Sequence, residues 1–120
     1  METLNKVEQK ILVRQAIATY IEFMNEASKA HTEKHFPMLS ADTYWVEGGQ
    51  KYIKIASGRS NGQTMVHCFV DALTGDVYKA AGWKAPALNG ARYNLMDEAS
   101  FENLKSKWDP YGGYLYKGCQ

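Results

Sequence analysis

Cysteine is scarce: Cys68 and Cys119 are the two among 120 residues. That is too few for the disulfide framework of a small secreted scaffold. With no cleavable signal evident at the start, a reduced intracellular setting is expected. Proline is also scarce, three residues in all, and neither proline nor glycine interrupts residues 3–30. No apolar run approaches the roughly 20 residues needed to span a bilayer, so no membrane association is expected. An excess of one charge sign is missing too, and a net charge of +1 argues against a general polyanion binder. The chain has no P-loop, no GxSxG elbow, no paired CxxC and no zinc-deaminase signature. No cofactor is therefore expected, and an enzyme is the weakest of the functional readings.

What is present describes one folded domain. A hydrophobic share of 45% and an aromatic share of 12% of the chain suffice to build a core without staples at this length. The stretch from Thr3 to Ala30 is rich in Glu, Lys, Gln, Ala, Ile and Leu and predicts a long helix. Leu4, Val7, Ile11, Ile17, Tyr20, Ile21 and Met24 draw an apolar stripe at three- and four-residue spacings. Thr3 or Asn5 caps its start, with Glu8 three residues after Asn5, and Pro37 is its latest end.

Strands are predicted at Thr43–Glu47, Lys51–Ala56, Gln63–Asp71 and Asp76–Ala81, separated by Gly-rich turns. Asp97 caps a short helix through Trp108, where Phe101, Leu104 and Trp108 share a face. The tail Tyr111–Tyr116 adds an edge strand on this reading. The expected fold is α+β: a long N-terminal helix, an antiparallel β-meander of three to four strands, and a short C-terminal helix packed on one sheet face.

Several side chains invite chemistry. His31 and His35, four apart, share a helix face but lack further ligands, and HTEKH is not the zinc-protease pattern, so surface histidines are expected. His67 and Cys68 are adjacent on a strand, and simple alternation sends them to opposite faces. Cys68 then joins Val66 and Val70 in the core, and His67 cannot activate it directly. Asp71 and Asp76 flank a turn, where aspartate serves conformation. The least implausible enzymatic set is His67, Asp71 and Arg92.

Binding has better candidates. Residues 50–92 carry a charge of +4, while the segments before and after are −2 and −1. Within that stretch, the Ser57–Gly62 loop offers Arg59 and Asn61 beside glycines that let backbone N–H groups converge on an anion. The long segment Gly82–Leu95 offers Trp83, Lys84, Arg92, Tyr93 and Asn94. Aromatic rings beside cations suit a base and its phosphate. The leading expectation is thus a non-enzymatic protein holding a nucleotide or nucleic acid at Arg59, Asn61, Trp83, Lys84, Arg92, Tyr93 and Asn94. A protein-binding module that inhibits or recruits a host protein is the alternative, since Trp, Tyr and Arg are also hot-spot residues.

The segment Val66–Leu95, with its HCFVD strand, TGDVYKAA turn and WKAPA stretch followed by an arginine and an asparagine, resembles small, mostly uncharacterised proteins of tailed bacteriophages. The resemblance covers about a quarter of the chain. It implies a phage accessory or counter-defence factor acting in the host cytoplasm and transfers no catalytic residue. Separately, Leu12, Val13, Ile17, Tyr20, Phe23 and Met24 give the first helix more apolar surface than one sheet face is expected to cover. A homo-oligomer, a dimer above all, is the expected consequence.

Overall fold

The computed structural model describes residues 5–35, 38, 41–58, 64–83, 85–88, 90–109 and 113–115. The chain runs α1 (Lys6–His35), β1 (Thr43–Gly48), β2 (Tyr52–Gly58), β3 (Met65–Asp71), β4 (Asp76–Lys79), β5 (Tyr93–Asn94), α2 (Glu98–Lys107) and a 3-10 turn at Gly113–Leu115. The strands form one antiparallel sheet in sequence order, so the α+β meander expected from the sequence is what the chain builds. The fifth strand, short as it is, comes from the end of the long segment after β4.

An uninterrupted run of good helix formers lets α1 extend for 30 residues, about 45 Å at 1.5 Å per residue. Its start is a reciprocal cap: Asn5 Oδ1 accepts from Glu8 N–H at 2.8 Å, and Asn5 Nδ2 donates to Glu8 Oε1 at 2.6 Å. The face turned to the sheet is Val13, Ile17, Tyr20, Met24 and Ser28. Val13, Ile17, Tyr20 and Met24 are four of the six residues expected to leave apolar surface over, and the chain's own core covers them. Phe23, too, is packed against the core, its ring 6.1 Å from that of Trp108. Val7 and Ile11 of the predicted stripe are instead 67% and 52% exposed, because the first buried residue of α1 is Val13.

The inner face of the sheet supplies Tyr44, Ile53, Ile55, Cys68, Val70 and Val77 to the core that α1, Leu104 of α2 and Leu115 complete. Asp97 caps α2 by accepting from Ser100 N–H at 3.3 Å. The described part of the tail is a 3-10 turn, where an edge strand was expected. Asp109 accepts from Gly113 and Tyr114 N–H, both at 3.1 Å, which curls the chain and drives Tyr114 into the core. At the β1–β2 turn, Gly49 has φ +113° and a Cβ there would collide with the Tyr52 carbonyl, so glycine is required.

Candidate functional site

The register of β3 corrects the expectation for His67. Ile55 pairs with Cys68 but Ala56 pairs with Val66, so His67 is the extra residue of a β-bulge. A bulge breaks strict alternation, and His67 and Cys68 both reach the same buried cluster. His67 Nε2 lies 2.6 Å from the Tyr114 hydroxyl, which lies 2.5 Å from the Tyr20 hydroxyl, which in turn lies 3.7 Å from Cys68 Sγ. Tyr114 also points at Met24 Sδ, and the His67 ring sits 5.0 Å from that of Tyr44.

Burial fixes the charge states of this chain of groups. It pushes His67 down to about 4, against a smaller opposing pull from Asp109, and pushes Cys68 up to about 12. Tyr20 and Tyr114 are raised for the same reason. All four are neutral at physiological pH, and the network ties α1, β3 and the 3-10 turn together. It is a structural device. The remaining members of the enzymatic set are held elsewhere: Asp71 Oδ1 accepts from Leu73 and Thr74 N–H, and Arg92 Nε donates to the Leu115 carbonyl at 2.7 Å.

The long segment after β4 is a hairpin arm. Ala87 N–H donates to Lys79 O at 2.7 Å, Ala80 bridges Pro86, and Arg92 N–H donates to Val77 O at 2.8 Å before β5 pairs with β4. Ala81 N–H donates to Ala85 O and closes the tip around Trp83. Three of the nominated side chains serve this architecture. Arg92 donates to the carbonyls of Leu115 and Gly90, and the Tyr93 hydroxyl donates to Tyr114 O at 3.2 Å. Asn94 Nδ2 donates to Thr74 O and Asp76 Oδ1, while its Oδ1 accepts from Met96 and Asp97 N–H. Arg59, Asn61 and Lys84 lie outside the described residues, as do most of the Ser57–Gly62 loop and Cys119.

Trp83 is different. It is 45% exposed, and Lys54 Nζ of β2 stands 4.3 Å above its ring, which carries the arm's tip back over the helix-free face of β3. There the register aligns Lys54, Phe69 and Tyr78 in one row across three strands. Tyr52 meets Tyr78 edge-on at 5.9 Å, and Lys51 Nζ lies 5.6 Å from the Tyr52 ring. Phe69 is 3% exposed yet stands apart from the helix-covered core, serving as the floor of this face. Beside it opens a recess of about 220 Å³ walled by Tyr52, Lys54, Gly48, Gly49 and the acidic Glu47.

The face thus joins Trp83, which the sequence nominated, to Tyr52, Lys54, Phe69 and Tyr78, which it did not. The signal was there: alternation in β2 already places Tyr52 and Lys54 opposite Ile53 and Ile55. Its meaning needed the neighbouring strands. Among the described residues, no group of three or more His, Cys, Asp or Glu is placed to hold a metal ion, and no helix is long and apolar enough to cross a membrane.

The chain belongs to a family of unknown function, DUF7717, whose model matches residues 1–117. That agrees with the uncharacterised character of the proteins which the Val66–Leu95 segment resembles. Comparison with curated proteins and with solved structures finds no match to either.

Proposed function

We propose that this member of the DUF7717 family is a non-enzymatic binding protein that holds a phosphate-bearing ligand, single-stranded nucleic acid or a nucleotide, on the outer face of its sheet. The observation that carries the reading is the group of Tyr52, Tyr78 and Trp83, floored by the buried Phe69, on the side that no described helix covers, with Lys54 and Lys51 against two of the rings. Bases stack on exposed aromatic rings with energies of about 1–3 kcal/mol each, and sheet faces bearing such rings are a recurring platform for single strands. The lysines supply the phosphate contacts that orient and retain the backbone.

On the outer face Trp83 stays, Lys84 follows it in sequence, and Arg92, Tyr93 and Asn94 become the brace that aims the arm. The resemblance to tailed-phage proteins supports an accessory or counter-defence role in the cytoplasm of an infected host.

Tryptophan-fluorescence titration of the full chain with nucleotides and with single-stranded oligonucleotides over a salt series tests the proposal. Affinity for the oligonucleotide falls steeply as salt rises, since each phosphate contact releases a counterion. No binding at low salt removes the reading. A host protein captured with salt-insensitive affinity centred on Trp83 replaces it with protein recognition.

A further inference from the structure

We propose that a second copy of this chain docks in the groove between α1 and β1, its own α1 lying antiparallel to the first about a two-fold axis beside residue 16. The groove encloses about 570 Å³ and is walled by Arg14, Ala18, Ile21 and Glu22 on α1 and by Trp45 and Val46 on β1. Three features identify the occupant.

The first is an exposed apolar side on the N-terminal turns of the helix, whose Lys6 and Lys10 side borders the turns at Gln50–Lys51 and Asp71–Leu73. From Lys6 to Leu12, α1 makes nearly two turns before its first buried residue, with Val7 67% and Ile11 52% exposed. Helices in water owe most of their stability to packing of an apolar face, so these turns call for a partner surface. The second is spacing. Val7, Ile11, Arg14, Ala18, Ile21 and Asn25 recur at intervals of four and three, the seam of a paired helix; the last four line the groove, and Val7 and Ile11 continue the seam beyond its end.

The third is self-complementarity. In the antiparallel pair, Ile11 lies level with the partner's Ile21, and Arg14 lies level with the partner's Ala18, an exposed small residue that leaves room for its stem. One turn further on stands the partner's Glu22, opposite in charge to Arg14, and the two-fold repeats each contact. An extended peptide is a poorer fit. Asn25 already donates to Tyr44 O at 3.2 Å and accepts from Tyr44 N–H at 2.7 Å, and Ser28 donates to Asp42 O, so α1 closes that stretch of the β1 edge to strand addition. The interface leaves the outer sheet face free in both copies, and two linked platforms gain avidity on one strand.

Sedimentation equilibrium of the full chain, beside disulfide trapping in a Cys119→Ser background, tests the interface. The wild type dimerises, and Ile11→Asp raises the dimer Kd by about tenfold or more. Arg14→Glu also weakens the dimer, and Arg14→Glu with Glu22→Arg restores it. Mild oxidation links Ile11→Cys/Ile21→Cys chains into dimers but leaves Ile11→Cys alone unlinked. Within one helix those two positions are about 15 Å apart, beyond the roughly 7 Å reach of a disulfide, so the link reports the partner. A chain that stays monomeric to about 100 µM, a dimer indifferent to Ile11→Asp, no rescue by the charge swap, or linkage of Ile11→Cys by itself overturns the proposal.

Discussion

On the inner face of the sheet, Tyr20 and Tyr114 are buried and their hydroxyls bond to each other, to His67 and to Cys68; on the outer face, Tyr52 meets Tyr78 edge-on and Trp83 lies half-exposed under the Lys54 ammonium. The same residue classes do opposite things. Inside, the polar tip of each ring has a fixed partner, and the group is a structural tie. Outside, a ring without a covering helix keeps a face available for stacking. The contrast teaches that an aromatic residue becomes a candidate for binding through what is left uncovered, and its type alone does not decide the matter.

The inner face should be costly to disturb. Tyr20→Ala removes a fully buried ring and the bond to Tyr114, and is expected to cost about 3–5 kcal/mol of stability in chemical denaturation. A much smaller loss would mean that the network is looser than its distances imply.

The pH dependence of stability sharpens the same side. His67 is held near 4 when folded against its ordinary value of 6.5. Above pH 6.5 it is neutral in both states and stability is complete. As pH falls from there to about 4, the unfolded chain takes up a proton that the folded chain refuses, and stability drops by about 3 kcal/mol, at 1.36 kcal/mol per unit. His67→Gln lacks this component, so denaturation of wild type and variant at pH 7 and pH 4 isolates it. Equal losses in both would contradict the buried, neutral assignment.

The brace of the arm is intermediate. Asn94→Ala leaves Thr74 O without its side-chain donor and Met96 and Asp97 N–H without their acceptor, at a cost of about 1–3 kcal/mol in a thermal melt. The outer face is the smallest effect. Trp83→Ala should change stability by less than about 1 kcal/mol, because a half-exposed ring at a hairpin tip leaves no sealed cavity.

Local signals carried the fold far. The Asn5 and Asp97 caps, the glycine-bounded turns and the Leu104 face of α2 stand where the sequence placed them. The misreadings came from long-range contacts. The bulge at His67 exists only against β2, and no local pattern distinguishes it from regular alternation. The tail curls because Asp109 caps it and Tyr114 has a hydrogen-bond partner 94 residues away in Tyr20. The same limit applies to the site: the Leu115 carbonyl partner of Arg92 and the Thr74 turn partner of Asn94 are long-range contacts, as is the edge-to-edge meeting of Tyr52 and Tyr78 across the sheet.

Binding on the outer face is decided by its rings and lysines. Fluorescence-anisotropy titration of a labelled single-stranded oligonucleotide at low salt, with wild type, Trp83→Ala and Lys54→Ala, is its most direct test. Wild type binds, and each variant, still folded with a near-native melt, weakens binding by about tenfold, the loss of one stacked base or one phosphate contact. Variants that bind as tightly as the wild type would contradict it.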